Sequence, residues 1–479
     1  MSEPVLGLAP AFPQPAAPPV SREVLARLDV SGPRYTSYPT ADRFVEAFGP
    51  EQYQQALQQR GQGVGALTGS ASALSLYVHV PFCESVCYYC ACNKVITKHH
   101  ERAVEYLEAL RLEVDRVTAD LGRGQAVSQL HFGGGTPTFL SDDQLEGVLA
   151  HLQTAFRFVP GGEYAIEIDP RTIDAVRLQR LAAMGFNRLS FGVQDFDPQV
   201  QQAVHRIQPH DQVAALVAAA RAEGFESLNM DLIYGLPKQT LESFRTTLSQ
   251  VAALRPDRIA LYAYAHLPQR FKPQRRIDAS ALPSADDKVA MLAMAIEAFG
   301  AAGYDYIGMD HFALRHDSLA VAKRQGRLHR NFQGYSTHPD CDIIGLGVSA
   351  IGRVGAHYSQ NAKTLDEYYD ALHRGQLPVV RGLTLTRDDL VRRAVIMAIM
   401  CQGRVDFESI ELAYLVDFRQ YFASEMRLLE PLVESGLVQM ESDGIRVTSL
   451  GWYFVRAVAM VFDRHLQTDK AVERFSRII

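Results

Sequence analysis

Leu74-Ser75-Leu76-Tyr77-Val78-His79-Val80-Pro81-Phe82-Cys83-Glu84-Ser85-Val86-Cys87-Tyr88-Tyr89-Cys90-Ala91-Cys92 begins as an alternating strand and runs into four of the chain's six cysteines. Thiolates are soft ligands that select zinc, Cu(I) or iron–sulfur clusters. Cys83, Cys87 and Cys90 follow a C-x3-C-x2-C spacing. Three thiolates on one loop can hold three irons of a [4Fe–4S] cluster, which normally takes four cysteines, leaving one iron for a non-protein ligand. A structural zinc site using Cys92 as fourth ligand fits less well, because zinc knuckles pair their cysteines across a longer span. A disulfide fits worse, since nothing in the chain suggests an oxidising compartment.

Outward from this loop, strands alternate with amphipathic helices. His100–Leu121 carries an apolar stripe of Val104, Leu107, Val114, Val117 and Leu121. Val127–Phe132 reads as a second strand and leads into Gly133-Gly134-Gly135-Thr136-Pro137. Ser141 and Gln144 form a capping box ahead of Leu145, Val148, Leu149, Leu152 and Phe156. Further strands are predicted over Tyr164–Ile168, Arg188–Gly192, Ser227–Tyr234 and Arg258–Tyr264, with a helix between the first two that stops at Gly185. Six βα units in series call for parallel strands with right-handed crossovers, in either a closed or partial barrel or a doubly wound sheet. Both put their sites after the strands.

Upstream, residues 1–20 are Pro/Ala-rich and read as a flexible arm, and a short helix is predicted after Ser21. Arg34-Tyr35-Thr36-Ser37-Tyr38-Pro39-Thr40 reads as extended, and residues 61–72 as a connector. Beyond residue 310 the βα repeat loosens. Thr386 and Asp389 open a helix, and strands Leu437–Glu441 and Ile445–Thr448 flank Asp443-Gly444 as a hairpin. The expected division is an N-terminal segment 1–72, a barrel with accessory elements 73–375, and a mostly helical, winged-helix-like domain 376–479. No basic stripe supports nucleic-acid binding in that last part.

The 479 residues carry a net charge of -6, which excludes a polycation built for nucleic acid. No apolar run reaches the ~20 residues that span a bilayer, and no basic-then-apolar N-terminus marks a signal peptide. The expectation is a cytoplasmic monomer without nucleic-acid or membrane partners. Cys341 and Cys401 stand alone and are read as small buried apolar residues.

Charged and polar residues near strand ends need partners: Glu167, Gln194 and Asp231. An iron with an open position suits S-adenosylmethionine (SAM), whose amino and carboxylate groups chelate it. The cysteine spacing, with Tyr89 before the third cysteine, resembles the radical SAM signature. Further matches come from Cys90-Ala91-Cys92-Asn93-Lys94, Gln194-Asp195-Phe196, Asp231-Leu232-Ile233-Tyr234-Gly235-Leu236-Pro237, Tyr264-Ala265-His266-Leu267-Pro268, Gln274-Arg275-Arg276-Ile277, Gly308-Met309-Asp310-His311-Phe312 and Arg330-Asn331-Phe332-Gln333-Gly334-Tyr335-Ser336-Thr337. From about Arg34 to the end, the chain resembles the family of oxygen-independent coproporphyrinogen III oxidases.

That resemblance implies an α/β fold: a radical SAM partial (β/α)6 TIM-like barrel with an N-terminal extension and a mostly helical C-terminal domain. It implies a [4Fe–4S] cluster on Cys83, Cys87 and Cys90, with Cys92 equivalent to the family's fourth, non-ligating cysteine. It also implies two SAM molecules lined by Tyr77, Tyr89, Gly134, Gly135, Thr136, Glu167, Gln194, Arg206, Asp231, Ala265 and Ile351. The implied reaction converts two propionates of coproporphyrinogen III to vinyl groups in haem biosynthesis. It calls for an electron donor to the cluster and an electron acceptor. Because the substrate carries four carboxylates, Arg270, Lys272, Arg275 and Arg276 are candidate clamps, and Tyr35 and Tyr38 are candidates to close the pocket. The competing reading is a haem chaperone of the same superfamily. Two features argue against it: Cys92 is present, and His329-Arg330-Asn331-Phe332-Gln333-Gly334-Tyr335 stands where such chaperones carry His-Asn-x-x-Tyr-Trp.

Overall fold

The computed structural model describes residues 32–63, 73–309, 311–338 and 341–468. The arm over residues 1–20, the helix expected after Ser21, most of the connector 61–72, and Asp310 lie outside them. Six parallel strands form the frame: β1 (Leu74–Val80), β2 (Ala126–Gly134), β3 (Arg157–Ile168), β4 (Arg188–Gln194), β5 (Ser227–Tyr234) and β6 (Arg258–Ala263). Their spatial order follows their sequence order. With right-handed crossovers, an unreversed order puts every connecting helix on the same side, as in a barrel and unlike a doubly wound sheet.

The side-chain pattern agrees. Leu76, Val78, Leu130, Phe132, Ile166, Ile168, Leu189, Phe191, Leu228, Met230, Ile259 and Leu261 alternate onto one face and belong to one core. Against them pack Leu107, Leu110, Val114, Leu145, Leu152, Leu178, Val213, Phe244 and Val251 from the crossover helices. The intervening positions Tyr77, His79, His131, Glu167, Ser190, Asn229, Asp231 and Tyr262 therefore point to the opposite, inner face. Strands apolar on both faces belong to sheets covered on both sides. Here the inner face is polar.

The barrel does not close. After β6 come β7 (Tyr304–Gly308) and β8 (His311–Leu314), with β8 antiparallel to β6. On the far side of β1 lies β9 (Ile343–Leu346), parallel to it, then the antiparallel β10 (Ile351–Val354), β11 (His357–Asn361) and β12 (Val379–Thr384). The twelve-stranded order is β12-β11-β10-β9-β1-β2-β3-β4-β5-β6-β8-β7. Because β12 belongs to this sheet, we propose moving the expected boundary at residue 376 to between Thr384 and Arg387.

The helix Arg387–Gln402 opens with the predicted Thr386/Asp389 capping box. The predicted hairpin pairs Val438–Met440 with Gly444–Val447, and Arg404–Asp406 adds a third strand. These elements share a second core. Tyr35 and Tyr38 sit in that core, 1% and 0% exposed. The Tyr35 hydroxyl donates to Asp463 at 3.0 Å, and Tyr38 packs against the His465 ring. Both rings therefore fasten the N-terminal segment to the C-terminal domain. Cys341 and Cys401 are buried, as expected.

Candidate active site

The cysteine loop is held from three sides. A short parallel pairing of Phe82–Cys83 with Val95–Ile96 closes it. The His79 ring bonds the Asn93 carbonyl through Nε2 (3.0 Å) and the Tyr77 hydroxyl through Nδ1 (3.1 Å). Burial pushes His79 down, which suits a neutral ring donating at Nε2 and accepting at Nδ1. From the barrel's other side, Gln274 donates to the Tyr89 carbonyl (3.0 Å) and accepts from the Leu267 amide (2.6 Å). The Tyr88 amide donates to the Val204 carbonyl, and its ring stacks on His205.

A cavity of about 470 Å³ opens between this loop and β2–β5. Cys83, Cys87, Cys90 and Cys92 line one wall; Gly134, Gly135, Thr136, Glu167, Asp169, Arg171, Ser190, Gln194, Arg206 and Asp231 line the others, with Tyr89. The glycines are dictated by contact. A Cβ on Gly133 would lie 2.7 Å from the Glu167 carboxylate, and one on Gly135 would lie 2.7 Å from the Pro81 and Phe82 carbonyls.

The cavity's charges are paired in sets. Burial would raise Glu167, but hydrogen bonds from His131 Nε2 (2.9 Å) and the Gly134 amide (3.2 Å) hold it below the ordinary carboxylate range. Asp231 is inside β5 rather than at its end. Burial and the neighbouring Glu167 push it up to about 6, against donors Asn229 (2.8 Å) and Ser190 (3.1 Å). Asp169 accepts from Arg206 (3.2 Å) and Arg171 (2.6 Å), and despite burial these cations hold it low. The same guanidinium groups approach the Cys87 sulfur at 3.4 and 3.5 Å, while the Thr136 hydroxyl meets Cys83 Sγ at 3.4 Å. Arg206 is also held by the Gly192 carbonyl, so its guanidinium is fixed against the cavity wall by Asp169 and that carbonyl.

The donor set fits an iron–sulfur cluster. Buried thiolates need hydrogen-bond donors, and Thr136, Arg171 and Arg206 supply them. Among the described residues no three His, Cys, Asp or Glu side chains converge as for one metal ion. A polynuclear cluster does not ask for that, because each cysteine takes a different iron.

Not all expected residues reach the cavity. Tyr77 stacks on His131 at 5.9 Å and does not line it. Ala265 offers its carbonyl to Gln274, and Ile351 packs beside Phe44 and Tyr358. Arg275 and Arg276 are exposed; the first donates to the Pro268 carbonyl and the second lies over the Tyr88 ring. The sequence alone assigns no site role to His79, His131, Asp169 or Arg171, and marks Gln274 only as part of a matching motif. The period-two alternation of the strands marks the two histidines as inward-facing.

Fold and cavity define a class. Residues 77–251 match the Radical SAM superfamily model and residues 385–454 the HemN C-terminal domain model, so the chain is built as a radical SAM protein with that appended domain. The oxygen-independent coproporphyrinogen III oxidase of Pseudomonas aeruginosa is 50% identical, covering 95% of this chain and 98% of the relative. That of Escherichia coli strain K12 is 46% identical over the same shares. The solved coproporphyrinogen III oxidase (HemN) from Escherichia coli, described as a radical SAM enzyme, superposes with a TM-score of 0.86 at 46% identity, covering 90% of this chain and 98% of that one. The chain belongs to the family of oxygen-independent coproporphyrinogen III oxidases. Among the described residues no helix is long and apolar enough to cross a membrane.

Proposed function

We propose that this cavity is where Cys83, Cys87 and Cys90 hold the cluster and where SAM meets the substrate. The enzyme carries out the oxygen-independent oxidative decarboxylation of coproporphyrinogen III to protoporphyrinogen IX in haem biosynthesis, using SAM and a [4Fe–4S] cluster. Held by Cys83, Cys87 and Cys90, the cluster would supply one low-potential electron for the reductive cleavage of SAM to methionine and the hydrogen-abstracting 5′-deoxyadenosyl group that the propionate chemistry needs. The protein's share is position and field. Arg171, Arg206 and Thr136 stabilise the thiolates. Glu167, kept ionised, and Asp231 suit the amine, sulfonium and ribose hydroxyls of SAM, with Gln194 and the Gly134–Thr136 backbone beside them. Two SAM molecules are proposed: Tyr89 lines the cavity beside the cysteines, and Tyr77, Ala265 and Ile351, which lie outside that cavity, stay proposed contacts reached only when both molecules are bound. Arg270, Lys272, Arg275 and Arg276 stay proposed clamps at the rim. Cytoplasmic location, a monomer, and separate electron donor and acceptor complete the proposal.

The observation that carries the reading is the three cysteines Cys83, Cys87 and Cys90 facing one cavity together with the carboxylates Glu167, Asp169 and Asp231. The haem-chaperone alternative is not favoured, since the relatives named above are oxidases. The test is anaerobic turnover of reconstituted protein with coproporphyrinogen III, SAM, a low-potential reductant and crude extract as acceptor. Protoporphyrinogen with matching 5′-deoxyadenosine and CO2 is expected. Tight haem binding without SAM cleavage would overturn the reading.

A further inference from the structure

A second group of charges, Arg34 and Arg330, meets the inner-face residue Tyr262 from the N-terminal segment and a hairpin packed on the C-terminal domain. The hairpin His329–Asn331/Gly334–Ser336 pairs Arg330 with Tyr335, and the guanidinium sits 4.6 Å from that ring's centre. Arg330 Nε donates to the Arg34 carbonyl at 3.3 Å, and the Arg34 guanidinium lies 5.1 Å from the Tyr262 ring centre. Tyr262 is an inner-face residue of β6, packed edge-on against His311, which in turn meets Tyr335. Tyr262 is perturbed by burial first, then by Asp231 of the cavity and by both arginines, which puts the cluster next to the cavity wall.

Arg330 is 6% exposed, and its buried Nη1 has no hydrogen-bond partner. It makes no ion pair among the described residues. A guanidinium cannot shed its proton, so a buried one without an anion is costly. Its charge is also felt nearby: burial, then Arg330, push His311 down to about 3.

We infer that Arg330 is a carboxylate-binding site beside the inner-face residue Tyr262, filled by a reactant when it enters. This deepens the functional reading and rests on it. Both reactants carry the required group: the substrate has four propionates and SAM a methionyl carboxylate. A charge-assisted pair in a buried setting is what Arg330 lacks and what either reactant supplies.

The test uses reconstituted protein carrying R330Q or R330K, with iron content and absorbance showing that the site is intact. Binding of coproporphyrin III, a stable tetra-acid, is read by fluorescence quenching beside its tetramethyl ester, and SAM binding by equilibrium dialysis. A loss of about ten- to hundredfold is expected for R330Q. Weaker tetra-acid binding with unchanged ester and SAM binding assigns the site to a propionate. Weaker SAM binding alone assigns it to the methionyl carboxylate. Equal loss for acid and ester, or no loss for either reactant, overturns the inference and leaves Arg330 a packing residue. Should R330Q fail to fold, R330K, which keeps charge and stem but not the fork, carries the same test. Failed turnover by the wild type would instead strike at the functional reading.

Discussion

Glu113, in the helix Arg102–Leu121, is 1% exposed and accepts from the Gly347 amide (2.7 Å), Asn361 Nδ2 (2.6 Å) and the Tyr368 hydroxyl (2.6 Å). Beside it the Tyr106 hydroxyl donates to the His79 carbonyl, so this cluster fastens the end of β1 where the cysteine loop departs. Burial wins over the three donors and pushes Glu113 from 4.5 up to about 7. At about 1.36 kcal/mol per unit, that is about 3 kcal/mol of stability. The sign follows from proton uptake. Between pH 4.5 and 7 the folded protein keeps a proton that the unfolded chain has lost. The contribution is therefore full below pH 4.5, falls as pH rises, and is gone above 7. Glu113→Gln removes the titration, and because an amide, like the protonated carboxyl, presents one donor and one acceptor, it mimics the acid form at every pH. Urea unfolding of the cluster-free protein from pH 4.5 to 8 should show wild type and variant close at the acid end and the variant pulling ahead by about 3 kcal/mol toward pH 7.5. A gap constant with pH would mean that the three donors cancel burial, and would refute the argument.

Two further outcomes concern the cluster. Cys92→Ser should keep the full cluster absorbance and iron content, whereas Cys87→Ser should lose both; iron loss on the Cys92 change would sink the three-ligand assignment. Gly135→Ala sets a methyl group 2.7 Å from the Pro81 and Phe82 carbonyls, so it should displace the cysteine loop at about 1–3 kcal/mol and lower iron uptake while the far-UV circular dichroism stays native. Normal iron in that variant would show that the loop yields without cost.

The sequence by itself determined much of the frame. Strand β5 falls on its predicted residues, and the Ser141/Gln144 and Thr386/Asp389 caps form as written, because strand alternation and capping are local. The cysteine spacing and the polar residues Glu167, Gln194 and Asp231 were legible too, since such groups stand out among apolar strands. The choice between barrel and doubly wound sheet was also present, in the polar inner positions from Tyr77 to Tyr262, though only a reading of both faces reveals it. Tertiary structure alone decided the rest. Nothing local says that Ile343–Leu346 pairs with β1, that Tyr35 reaches Asp463 across 428 residues, or that Arg206 spends its charge on Asp169 and Cys87. Those contacts join segments far apart in the chain. Their energy comes from burying a charge or a ring against one particular partner, and only the closed fold selects that partner.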